Sequence, residues 1–129
     1  MAEKRILDSF EMNLLRRLDG VRWDEFIRND EIRDRLKQIP VSLRLRSRRL
    51  AAFGHLVRMD NTRIPAKVWR AQMAERRPVG RPRTRWKDVL RRDLERSGLS
   101  LEEAATEALD RDRWRTIVLA SCDYNAAGR

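Results

Sequence analysis

The sequence predicts a small all-α fold, and three of its features carry that expectation. Apolar residues recur at three- and four-residue intervals along most of the chain, the pattern of amphipathic helices and not of alternating strands. Charged residues make up 39% of the composition and aromatics 6%. That balance suits helices with solvated faces and leaves too little Val, Ile, Thr and Tyr for a β-sandwich. With 129 residues, 41% of them apolar, the chain has room for one small domain or two helical subdomains, which excludes the large enzyme folds.

Six or seven helices are expected. Residues 5–19 read as the first, with Ile6, Leu7, Phe10, Leu14 and Leu18 on one face and Gly20 as its stop. Asn29 suits an N-cap for a second helix through Lys37, because Asp30 and Glu31 then complement the helix dipole while Ile32 and Leu36 face inward. Pro40 closes that element. From Ser42 to Arg58 a third helix carries a wide apolar stripe that includes Leu50, Phe53 and Val57, which makes it central. Asn61 to Ile64 is a turn, and Pro65 belongs in the first turn of a fourth helix presenting Val68, Trp69 and Met73 to the core.

Pro78, Gly80 and Pro82 exclude regular structure across residues 76–83, a segment expected to be extended and exposed. Thr84 suits the cap of a fifth helix in which Trp86, Val89, Leu90 and Leu94 share a face, with Gly98 as its stop. Ser100 and Glu103 form a capping-box pattern for a short sixth helix. Asp110 starts a seventh that holds Trp114, Ile117 and Val118, and residues 121–129 read as a frayed end. The expected core therefore contains Leu14, Leu18, Leu36, Leu50, Phe53, Val57, Trp69, Trp86, Leu90, Trp114 and Val118. All four tryptophans, Trp23 included, read as core anchors in preference to base-stacking platforms.

The formal net charge of +10 predicts a polyanionic partner, with nucleic acid ahead of an acidic membrane surface. Cations and acids number nine each in residues 1–40, seventeen against five in 41–96, and four against six in 97–129. These segments read as a charge-balanced N-terminal part, a basic nucleic-acid-facing part and a C-terminal part, expected to form one compact domain. One Cys, Cys122, and one His, His55, exclude an intrachain disulfide and a Cys/His zinc site within the chain. No apolar run of about 18 residues suggests a membrane span, and Glu3, Lys4, Arg5 and Asp8 occupy the place of a signal-peptide core. An intracellular protein with no membrane partner is expected.

The densest basic stretch packs Arg76, Arg77, Arg81, Arg83, Arg85 and Lys87 into twelve residues without an acid. Within it Gly80-Arg81-Pro82 resembles the core of an AT-hook, where Gly allows close backbone approach to a groove. Contact with phosphate along the whole stretch is the broader expectation, and a proline-bounded linker with solvated arginines is the bland one. A second cluster, Arg44, Arg46, Arg48 and Arg49, lies on the third helix. Residues 29–58 thereby have a helix-turn-helix outline, but with few base-reading side chains, so phosphate positioning is favoured over sequence readout. His55 reads as a packed histidine, because no Ser, Cys or acid stands at helical spacing from it, and Gly54 as a point of close helix approach. Asp88, Asp93 and Glu95 contain the oxygens a Mg²⁺ site would need, but Arg91, Arg92 and Arg96 surround them, and ion pairing is the expectation.

Taken in order, several blocks resemble one family. They are Leu7-Asp8-Ser9-Phe10-Glu11-Met12 with Leu15-Arg16-Arg17, then Arg28 to Arg33, then Arg49-Leu50 with Phe53-Gly54-His55-Leu56-Val57-Arg58-Met59, then Arg63-Ile64-Pro65 and Gly80 to Asp88. Their order is similar to the region after the polymerase core in LINE-type non-LTR retrotransposon reverse transcriptases. The likeness runs from about residue 5 to 119. It departs at Ala51 and Ala52, where the family usually has a basic residue and Trp. The resemblance implies a thumb-like helical segment that holds template RNA or target DNA beside a polymerase, and a nuclear location. It does not imply catalysis, because the Tyr-x-Asp-Asp metal-binding turn is missing and the lone tyrosine, Tyr124, precedes Asn125-Ala126. The expected function is therefore a non-catalytic nucleic-acid-binding segment, with no cofactor and no metal. The alternative is a protein-interaction module that docks on a reverse transcriptase polymerase domain or another partner, with the first helix as the docking face toward a polymerase.

Overall fold

The computed structural model describes residues 2–71 and 85–121. Among these the fold is all-helical: α1 (Ala2–Asp19), a single 3-10 turn (Trp23–Glu25), α2 (Asn29–Leu36), α3 (Val41–Val57), α4 (Ile64–Arg70), α5 (Trp86–Glu95), α6 (Leu101–Glu107) and α7 (Arg111–Ala120). No described helix is long and apolar enough to cross a membrane. The chain forms two compact units, one built from residues up to Arg46 and one from Ser47–Ser121, so α3 contributes to both.

Local chemistry accounts for most helix ends. Gly20 and Gly98 adopt positive φ, 71° and 70°, where a side chain would be strained. Pro65 lies in the first turn of α4. At α6 the Ser100 hydroxyl accepts from the Glu103 backbone N–H (3.2 Å) while the Glu103 carboxylate accepts from the Ser100 N–H (2.8 Å). Those hydrogen bonds hold the Glu103 carboxyl below its usual range. Asp110 caps α7 by accepting from the N–H groups of Asp112 and Arg113. At α2 the cap position falls one residue early, on Arg28. Asn29 is the first helical residue, and its side-chain oxygen accepts from Arg16 (2.8 Å).

In the first unit Met12 and Leu15 of α1 pack on Ile32 of α2, with Val21, Ile27 and Leu36 around them. This corrects the expected face of α1. Leu14 and Leu18 are exposed, Leu18 to 76%, as are Ile6, Leu7 and Phe10. Two apolar faces compete on this helix, and polar partners decide between them. Glu11 accepts from Arg33 (2.7 Å) and from the Val41 N–H (3.1 Å), and Asp19 pairs with Arg35 (3.2 Å). Arg16 donates to the Ile27 carbonyl (2.8 Å). These side chains flank Met12 and Leu15, so that narrower stripe turns inward.

In the second unit Leu50 and Phe53 of α3, Leu90 and Leu94 of α5, Ala104 and Ala108, and Trp114 of α7 form the core. Val57, Trp69 and Val118 pack against it. Three aromatic rings continue outward from Trp114 in edge-to-face contacts: Phe53 at 5.5 Å, then Trp69 at 5.4 Å, then Trp86 at 5.6 Å between successive centroids. Trp114 and Trp69 are the core anchors expected of them, whereas Trp23 is 85% exposed and Trp86 39% exposed. Trp23 falls in the short 3-10 turn, which buries none of its residues. Trp86 is the first residue of α5 and meets Trp69 at the outer end of the aromatic series.

Gly54 makes the Trp114 position possible. A Cβ there would stand 2.2 Å from both Cδ1 and Nε1 of the indole, closer than any real contact. The bare backbone instead lets the Trp114 indole N–H donate to the Leu50 carbonyl (2.9 Å). One turn on, Arg58 donates to the Ala108 carbonyl at the end of α6. Gly54→Ala is therefore expected to cost about 3 kcal/mol through overpacking. Its better helix propensity returns only about 1 kcal/mol. Urea denaturation of the variant beside the wild type measures the difference.

Candidate nucleic-acid interface

The cations singled out in the sequence divide into those that hold the fold together and those that face solvent. Of the third-helix cluster, Arg46 is buried, and the Arg49 Nε lies 2.6 Å from the Asp93 carboxylate of α5, itself buried. Arg44 and Arg48 are exposed. They stand four residues apart, one turn along α3, with Arg44 donating to the Gln38 side chain (2.9 Å). Arg44 and Arg48 are therefore the two of the four that are exposed to an external anion, whereas Arg46 is buried and half-buried Arg49 pairs with Asp93.

Arg76, Arg77, Gly80, Arg81 and Arg83, with the extended geometry expected for residues 76–83 and the Thr84 cap, lie outside the described residues. The last two members of that stretch are described. Arg85 precedes α5 in extended backbone, and its N–H donates to the Asp88 carboxylate (3.4 Å). Asp88 also lies 3.9 Å from Arg91. The Lys87 ammonium sits 4.6 Å from the Trp69 ring centroid, a cation–π arrangement that ties its stem to the aromatic surface. On α4 the exposed side chains are Ile64, Pro65, Lys67, Val68 and Arg70, following exposed Arg63. Residues 61–71 contain no acid. Asp60, just before them, accepts from the Thr62 N–H (2.7 Å), which holds its carboxyl below the usual range.

The Phe53-Gly54-His55 block is architectural in this fold: Phe53 is in the core, Gly54 lies under Trp114 and Arg58 reaches α6. His55 departs from the expected packing and is exposed. It follows Gly54 on the helix, so it points away from the face that Trp114 covers. The acids weighed for a metal go elsewhere, Asp93 to Arg49 and Asp88 to the start of α5. Among the described residues no three His, Cys, Asp or Glu side chains gather as a metal site. Sequence reasoning missed the α4 surface, although a tract with three cations and no acid around Trp69 was a signal of the same kind as 76–87.

Comparison of the chain with family models, curated proteins and solved structures finds no match.

The split between structural and free arginines is directly measurable. Arg49→Ala removes the guanidinium that pairs with the buried Asp93 carboxylate and is expected to cost about 2 kcal/mol. Arg48→Ala should change stability by less than about 0.5 kcal/mol. Thermal denaturation of the two variants side by side checks the contrast.

Proposed function

We propose that this chain is a non-catalytic nucleic-acid-binding segment that positions RNA or DNA through phosphate contacts. The observation that carries the reading is the concentration of cations in 41–96 and, within it, the six cations of residues 76–87 without an acid. Arginine suits this task because its planar fork pairs two oxygens of a phosphate at once. Arg85 and Lys87, at the start of α5, and the acid-free surface of α4 extend the same sign of charge onto described helices. The likeness of the block order to the tail of LINE-type reverse transcriptases supports the same reading, with template RNA or target DNA as the ligand, a neighbouring polymerase domain and a nuclear location.

A second reading is favoured by one observation, the exposed apolar face of α1 formed by Leu7, Phe10, Leu14 and Leu18. Such a face suits protein contact, here with a polymerase domain, in the charge-balanced part of the chain. The two readings separate by salt. Phosphate binding weakens steeply as salt rises because each neutralised phosphate releases counterions, whereas an apolar contact tolerates salt.

Replacing Arg81, Arg83 and Arg85 together with Ala is expected to weaken binding to all sequences alike. The slope of log affinity against log salt should flatten by up to about 0.9 per lost phosphate contact on B-form DNA. Anisotropy titrations of labelled duplex DNA, single-stranded RNA and an RNA–DNA hybrid at several salt concentrations measure this. Unchanged affinity and slope would reduce that stretch to a linker, and loss confined to A·T-rich duplex would favour an AT-hook.

A further inference from the structure

We infer that Trp86 is a base-stacking platform and that the preferred ligand of the 47–121 unit is single-stranded nucleic acid. The inference rests on the nucleic-acid reading above and names the form of ligand it takes. The observation is the juxtaposition of a core-anchored, partly exposed indole with cations on both sides of it in the chain.

The aromatic series starts at Trp114 and Phe53, both buried, passes through half-buried Trp69 and ends at Trp86. Trp86 meets Trp69 at 79° between ring planes. In an edge-to-face pair the two rings do not cover one another face to face, and 39% of Trp86 remains in water, area left for an incoming ring to cover. Its support on Trp69 means that little side-chain entropy remains to be lost when another ring docks.

The surroundings specify what covers it. Arg85 and Lys87 flank Trp86 in sequence, and the Lys87 ammonium is held over Trp69, so a cation is fixed at the edge of the platform. On α4, the helix that carries Trp69, Lys67 and Val68 are exposed and no acid interrupts the tract. A protein hot spot would also favour Trp and Arg. A border of Arg85, Lys87 and Lys67, in which the nearby acid Asp88 is engaged by the Arg85 N–H and Arg91, however, calls for a polyanion that brings its own flat apolar rings. Only unpaired, unstacked bases supply that combination, since in a duplex the base faces are already covered by their neighbours.

The test uses the full chain with a labelled dT single strand and a duplex of the same length at one fixed salt concentration. Trp86→Ala is expected to weaken single-strand binding about tenfold or more, in the range measured for removal of a stacking aromatic. Duplex affinity should stay within about twofold of wild type, because the phosphate contacts remain. Trp86→Phe, which keeps an aromatic face, should bind the single strand within about threefold of wild type and lose part of the intrinsic fluorescence quenching that ligand produces. Equal loss on both ligands, or loss on neither, would overturn the platform while leaving phosphate binding standing. Undiminished quenching in Trp86→Phe would overturn it as well, by assigning the stack to another tryptophan. Failure of the wild type to bind either ligand would remove the nucleic-acid reading itself, and the platform with it.

Discussion

The indole of Trp114 lies on helix α3 where Gly54 has no side chain, and its N–H shares the Leu50 carbonyl with the helix. Most of the 47–121 unit depends on that contact. Trp114 brings α7 against α3, and its edge-to-face contact with Phe53 starts the aromatic series that reaches Trp69 on α4 and Trp86 on α5. Leu90, Leu94, Ala104 and Ala108 close around the same residues, so α5 and α6 share one core with α3 and α7. A larger residue at position 54 would lift the ring, separate the donor from the Leu50 carbonyl and loosen each contact further along the series. The small residues Ala66, Ala104 and Ala108, all fully buried, show how closely helices approach in this unit.

A second constraint is the allocation of arginines. Burying a cation costs desolvation, yet several arginines of this basic chain do interior work. Arg33 and Arg46 are buried, and Arg49 and Arg58 join α3 to Asp93 of α5 and to the end of α6. Arg16 fastens the loop before α2. Charge counted along the chain therefore overstates the charge available to a ligand. Among the described residues of the basic part, exposed cations include Arg44 and Arg48 on α3, Arg63, Lys67 and Arg70 at α4, and Arg91 and Arg92 on α5.

What was legible in the sequence follows the range of the forces involved. Gly20, Gly98, Pro65, Ser100 with Glu103, and Asp110 act within one turn of their own backbone, and each sits where its chemistry predicts. The inward positions of Leu50, Phe53, Leu90 and Trp114 came from helical spacing on elements with one apolar face. The choice of face on α1 was not legible, because it turns on Glu11 finding Arg33 and Asp19 finding Arg35, partners more than ten residues away. The same holds for the candidate interface. Arg46 and Arg49 look like Arg44 and Arg48 in sequence, and only the position of α5 against α3, with Asp93 buried between them, separates Arg49 from its neighbours. Trp86 shares a helical face with Leu90 and Leu94 in sequence, but as the first residue of α5 it meets Trp69 at the end of the aromatic series and stays partly in water.

Amide and indole hydrogen exchange followed by NMR tests the dependence on Trp114 most directly. Its indole N–H is buried and bonded to the Leu50 carbonyl, so its exchange should require global opening of the 47–121 unit and match the slowest backbone amides of α3. The Trp23 indole, on an exposed ring, should exchange at the rate of an unprotected group. A Trp114 indole that exchanged as fast as that of Trp23, while the α3 amides stayed protected, would contradict the account.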